Sequence, residues 1–220
     1  MGKEYSHLME QYEKILKVFK ITKIFLKGII VTLLSFNFSL AEGEDNYLLD
    51  MTIGNVDAKV TIIDYSSLTC PHCATFHEEV FPKLKEEYIE TGKVNLIFRE
   101  VYFDGPGLWA SLVARCSDPE KFFPLVDLLL RKQNSWSRAE SQIEIVNGLT
   151  SIGKQAGLKE SDVLKCLKDR NKAKTLVEWY QYHAQNDQIE STPTIMVNGK
   201  KMSDRSFDSL KSEIENYLND

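Results

Sequence analysis

Two cysteines separated by a proline and a histidine, Cys70-Pro71-His72-Cys73, lie where a strand pattern hands over to a helix pattern. No other stretch restricts the fold as much. Residues 59–65 (KVTIIDY) are rich in β-branched side chains and read as a buried strand. Downstream, Phe76, Val80, Phe81, Leu84 and Tyr88 recur at helical spacing. Cys70 therefore falls at a helix N-terminus, where unpaired N–H groups and the positive end of the macrodipole favour a thiolate. Thiols so placed can close a small ring, reopen it and carry two electrons. Cys70 is the expected nucleophile, Cys73 the less exposed resolving thiol one turn further in, and the His72 imidazole a donor of a hydrogen bond or positive charge to the Cys70 sulfur. The alternative for His72 is an exposed helix-start residue.

Metal chemistry fits poorly. A structural zinc needs two more well-spaced ligands, and Cys116 and Cys166 stand apart from the pair and from each other. Haem attachment needs histidine directly after the second cysteine, where Ala74 stands. No metal or other cofactor is expected. The formal net charge of −5 gives no reason to expect a nucleic-acid partner.

The 220 residues are enough for one domain with an inserted subdomain. The N-terminal region stands apart. Lys14, Lys17, Lys20, Lys23 and Lys27 precede an apolar run over residues 28–40, and Ser39-Leu40-Ala41 supplies small residues at the places a signal peptidase requires. The run is short for a membrane span. Residues 1–41 read as a signal peptide or, left uncut, an N-terminal anchor, with Met9 an alternative start. Their loss removes six lysines and three glutamates and takes the net charge from −5 to −8. The product is an acidic protein outside the cytoplasm, where disulfides persist.

Residues 45–53 are a candidate edge strand. Pro82 must kink or break the helix that follows the cysteine pair, Gly92 ends it, and residues 94–102 (VNLIFREVY) form a second central strand, parallel to the first. Asp104-Gly105-Pro106-Gly107 should break the chain. Helices are then expected over 108–116, from Asp118 as N-cap with Pro119 in the first turn, over 140–156, 161–167 and 172–185. The sheet resumes at residues 194–197, turns at Asn198-Gly199 and returns, and an amphipathic helix over 206–218 closes the chain. The expected architecture is α/β, a thioredoxin fold with an inserted all-helical subdomain: 42–105 as its first half, 106–189 as the insert, 190–220 as its second half.

With these motifs in place the chain resembles the DsbA family of thiol oxidoreductases. The likeness rests on Gly54 to Tyr65 (GNVDAKVTIIDY), on Cys70-Pro71-His72-Cys73 followed by Phe76-His77, and on Ser191-Thr192-Pro193-Thr194. It spans roughly residues 45–220 and is nearest to α-proteobacterial members, some of which carry a second disulfide in the helical insert. The resemblance implies a periplasmic protein that passes its disulfide to newly exported, unfolded, cysteine-containing proteins. It further implies a monomer reoxidised by a DsbB-like or VKOR-like membrane protein. Asp64 becomes a proton acceptor for Cys73; its alternative is a strand-end acid at the surface. Thr192-Pro193 becomes a cis bond whose exposed backbone pairs with substrate, against a trans proline opening the strand. Cys116 and Cys166 become a structural disulfide, against two buried free thiols.

Two departures from strongly oxidising members bear on the redox poise: Thr192 stands where they often have valine, and Asp64 where they have glutamate. A disulfide reductase or isomerase, a redox-linked chaperone using the groove around Pro193, and a partner dedicated to one client such as a cytochrome maturation factor are the rival functions. Isomerases of this fold usually dimerise through an added N-terminal domain, and residues 42–55 are too few to build one. Trp109, Trp136 and Trp179 read as core, and His77 and His183 as ordinary structural or surface residues.

Overall fold

The computed structural model describes residues 50–116 and 118–220. The proposed signal or anchor at residues 1–41, and residues 45–49 of the expected edge strand, lie outside the described residues. The strands are β1 (Met51–Gly54), β2 (Val60–Ser66), β3 (Val94–Glu100), β4 (Thr194–Val197) and β5 (Lys200–Lys201). They form one sheet in the order β1-β3-β2-β4-β5. β2 lies parallel to β3, and every other pairing is antiparallel. β2 is therefore bonded on both edges, and its run of Val60, Ile62 and Tyr65 is buried accordingly. Pairing of Tyr65 with Thr194 sets the start of β4 beside the loop that carries Cys70.

Between β2 and β3 run α1 (Pro71–Glu79) and α2 (Phe81–Leu84), followed by a wider π-helical turn over Lys85–Ile89. The break at Val80 has the expected cause. Pro82 is tolerated only in the first turn of a helix, so a new one starts there.

The helical insert joins β3 to β4. It comprises α3 (Gly105–Ala114), a 3₁₀ turn (Pro119–Lys121), α4 (Phe122–Arg131), α5 (Gln133–Trp136), α6 (Gln142–Gln155), α7 (Glu160–Leu167) and α8 (Arg170–Asn186). The expected break at Gly105-Pro106-Gly107 is instead the first turn of α3. The Asp104 side chain accepts from the Gly107 N–H at 2.7 Å and caps it. A Cβ on Gly107 would stand 3.1 Å from Asp104 Oδ1 and 3.3 Å from Thr69 Oγ1, so a side chain there would push on the capping carboxylate. Asp118, expected as a side-chain cap, makes no capping bond and opens the 3₁₀ turn. Ser141 and Glu144 form a reciprocal capping box on α6, and Asp169 caps α8.

Asn198 and Gly199 both take positive φ, 43° and 82°, as the tight turn between β4 and β5 requires. The chain closes with α9 (Phe207–Asn219), capped by Ser206.

The insert has no core of its own. One continuous buried cluster runs from Val60, Ile62 and Leu96 in the sheet through Phe98 to Phe122, Leu129, Trp136 and Leu149 in the insert. Phe98 and Phe122 meet edge to face across that boundary, with centroids 5.8 Å apart. Trp109 and Trp136 are core, as expected; Trp179 is half-buried against His183.

Candidate active site

Cys70 is the N-cap residue of α1, with extended backbone and no side-chain cap, and no acidic residue lies in the first turn. Pro71 has no N–H, so the helix start acts on the Cys70 sulfur through the N–H groups of His72 and Cys73. Both cysteines are free thiols; Cys70 is half-buried and Cys73 fully buried.

Their acidities are driven apart. The Cys70 thiol is pulled from its ordinary 9.0 down to about 5, chiefly by a hydrogen bond from the Cys73 thiol. Desolvation opposes the fall, while the Thr192 side chain and the backbone N–H groups of Cys73 and His72 assist it. Cys73 is pushed far up by burial first, then by its bond to Cys70 and by the nearby Asp64 charge. Each sulfur explains the other, since a thiolate on Cys70 is a strong acceptor that keeps the Cys73 proton in place. The part of His72 that lowers the Cys70 thiol here is its backbone N–H, and its side chain lies exposed along a groove.

The Thr192–Pro193 bond is cis. As a thiol, Cys70 Sγ donates to the Thr192 carbonyl at 3.5 Å. Thr192 itself is buried, and its hydroxyl has no other partner among the described residues. The Pro193 carbonyl accepts from Arg205 Nη1 at 2.7 Å. A shallow groove of ≈ 250 Å³ runs beside the pair, lined by His72, Phe76, Pro193 and Arg205 among others.

Solved structures and curated proteins give this arrangement a family. A thioredoxin family model matches residues 48–216. Disulfide bond formation protein D of Bacillus subtilis is 30% identical over 173 residues, 76% of each chain. The crystal structure of Wolbachia pipientis α-DsbA1 superposes with a TM-score of 0.71 at 27% identity, over 77% of this chain and 92% of that one. The chain belongs to the DsbA-type branch of the thioredoxin family. A Rickettsia bellii relative whose name places it among the protein-disulfide oxidoreductases is 34% identical over 170 residues. This DsbA-type chain spans 64% of that protein's length.

In this DsbA-type chain the residues singled out from sequence fall into two groups. Cys70, Cys73, His72, Thr192, Pro193 and Asp64 converge at the C-terminal end of β2. Asp64 is fully buried on β2, not a surface acid, and its Oδ1 accepts from Ser66 Oγ. Cys116 and Cys166 lie apart in the insert. They form a disulfide, S–S 2.09 Å, that ties the end of α3 to α7.

Three contributors escape a reading of the sequence. Gln133, on the short helix α5 that no sequence pattern marks, is buried and donates through Nε2 to the carbonyls of Leu68 (2.9 Å) and Cys70 (3.0 Å). It clamps the active-site loop from the insert. Asp104 accepts from Thr69 Oγ1 at 3.0 Å and so holds the same loop while capping α3. His77, an ordinary residue by its sequence, is buried beside Asp64. Its signal is its place four residues after Cys73, on the same helix face.

Proposed function

We propose that this chain is a thiol–disulfide oxidoreductase acting outside the cytoplasm, which gives the Cys70–Cys73 disulfide to newly exported cysteine-containing proteins. The observation that carries the reading is the split in acidity: Cys70 at about 5, Cys73 held far above the ordinary thiol value. A stabilised Cys70 thiolate favours the reduced state, so the oxidised state readily surrenders its bond.

The steps follow from the placement of the two sulfurs. A substrate thiolate attacks Cys70 Sγ, the sulfur that water and substrate reach. Its electron pair forms the mixed disulfide, and the bonding pair of the old disulfide stays on Cys73. Cys73 takes a proton from the Asp64 carboxyl and becomes a thiol. A second substrate thiolate attacks the substrate sulfur of the mixed disulfide, and Cys70 departs as the thiolate its surroundings favour. The substrate leaves oxidised by two electrons. An extended substrate segment pairs with the Thr192 backbone as an added strand. A membrane reoxidase of the DsbB or VKOR kind then takes the two electrons from Cys70 and Cys73.

The test is a redox equilibrium against glutathione, combined with oxidative refolding of a reduced, unfolded protein. The expected potential is well above that of thioredoxin, about −270 mV, with stoichiometric transfer of one disulfide per chain. A potential at or below that value would refute the donor role and leave a reductase. Faster repair of a scrambled substrate than oxidation of a reduced one would point to an isomerase.

A further inference from the structure

Beneath the redox pair lies a polar side chain that the exchange steps above do not use. His77 is 3% exposed and follows Cys73 by four residues, so both leave the same face of α1. Its ring stacks on Phe81 with centroids 4.5 Å apart and planes 25° apart, and it meets Phe98 edge-on at 5.7 Å. This packing fixes the ring plane. His77 Nε2 comes to 3.6 Å from Asp64 Oδ2. Neither atom, nor His77 Nδ1, has a hydrogen-bond partner among the described residues.

A side chain selected only to fill that slot would be phenylalanine, which packs on Phe81 and Phe98 equally well and carries no buried nitrogens. An imidazole facing a buried carboxylate is a costly choice unless the pair handles a proton. The elements around it offer few other places for one. β2 presents Asp64, α1 presents Cys73, α2 presents Phe81, and β3 presents Phe98. Behind Phe98 lies Phe122, and beyond that ring the Arg115–Glu100 ion pair.

We propose that His77 is a positioning residue for the proton of Cys73, sharing with Asp64 the proton that the carboxylate accepts. This role rests on the disulfide-exchange reading above. In disulfide donation the carboxyl–imidazole pair gives one proton to Cys73 as the bonding electrons settle on that sulfur. In reoxidation the flow reverses. Cys70 thiolate attacks the oxidant's disulfide and expels one oxidant thiolate. Cys73 then releases its proton to Asp64, its sulfur attacks Cys70 Sγ, and the second oxidant thiolate leaves. One proton and two electrons cross the site in each direction. The 3.6 Å gap exceeds a hydrogen bond by a few tenths of an ångström, a distance that a small slide of the ring within its own plane closes once the proton is shared.

The reoxidation half-reaction isolates the step. Mixing the full-length reduced protein with one equivalent of dithiobis(nitrobenzoate) releases two coloured thiolates in turn, the first from attack by Cys70 and the second from attack by Cys73. In His77→Gln and His77→Phe the first release should keep its wild-type rate. The second should slow on the order of tenfold, part of the 10²–10⁴-fold that a positioned acid–base group supplies. Its rate should also climb with pH, because solvent hydroxide replaces the internal acceptor. In an Asp64→Asn background, His77→Phe should add no further slowing.

The role is overturned if the second release and its pH profile match wild type in both variants. Equal slowing of both releases, the mark of packing damage, also overturns it, as does slowing of Asp64→Asn by the full single-variant factor. A wild-type protein that releases only one coloured thiolate overturns the exchange reading and this role together; two from wild type with unaffected variants overturns the His77 role alone.

Discussion

Replacing Cys73 with alanine removes the largest single contribution to the acidity of Cys70. A hydrogen bond to a charged acceptor contributes about 1.5–3 kcal/mol. At 1.4 kcal/mol per tenfold change in ionisation, that is roughly one to two pH units. The Cys70 titration midpoint should therefore move from about 5 in the wild type to roughly 6–7 in Cys73→Ala. It should stop short of the ordinary 9.0, because the Thr192 side chain and the N–H groups at the start of α1 remain. Thr192→Val removes a smaller contribution and should move the midpoint less. The assay is the rate of Cys70 alkylation by iodoacetamide as a function of pH, with mass analysis confirming the labelled residue. The full fall from 9.0 to about 5 would correspond to about 5 kcal/mol. The sulfur is partly open to solvent, so screening reduces the usable figure to roughly half.

Cys70 is an acid whose folded value lies below its ordinary one. Its contribution to the stability of the reduced protein is thus fully present above about pH 9 and is lost as pH falls through about 5. The reduced form should lose its stability advantage over the oxidised form across that window. An unchanged midpoint in Cys73→Ala, or a wild-type midpoint near 8–9, would refute the hydrogen-bond account of the thiolate.

Three further outcomes are expected. Gln133→Leu takes the side-chain donor from the buried Leu68 carbonyl, while the Cys70 carbonyl keeps the Cys73 and Ala74 N–H groups, and should destabilise by about 1–2 kcal/mol in denaturant unfolding. Arg115 donates to both Glu100 oxygens, at 2.6 and 2.7 Å, in a buried pair. Arg115→Met leaves Glu100 uncompensated and should cost about 3–5 kcal/mol by the same measurement. Cys116→Ala with Cys166→Ala opens a cross-link spanning 50 residues and should lower stability by about 4 kcal/mol on the chain-entropy model, read as a lower denaturant midpoint.

Features set by local chemistry are legible in the residues alone. The positions of β2, β3 and β4 follow from β-branched runs, the break at Val80 from Pro82, and the β4–β5 turn from Asn198-Gly199, because each depends on a few adjacent residues. Helix bounds are less legible where caps depend on contacts. Asp104 begins α3 earlier than the residue pattern suggests because it is also bonded to Thr69, thirty-five residues away. The α5 turn has no periodicity to read, being only four residues long, Gln133–Trp136.

The sequence by itself determined the redox pair, its seat at a helix N-terminus, and the order of the strands and longer helices along the chain, since each is encoded within a short span of residues. Only the tertiary structure decided that Asp64 is buried with His77 against it, and that Gln133 reaches back from the insert to hold the Cys70 loop. It also decided that sheet and insert share one core. These depend on side chains brought together from distant positions by packing, and a buried proton site or clamp has no local pattern from which distance and burial can be deduced.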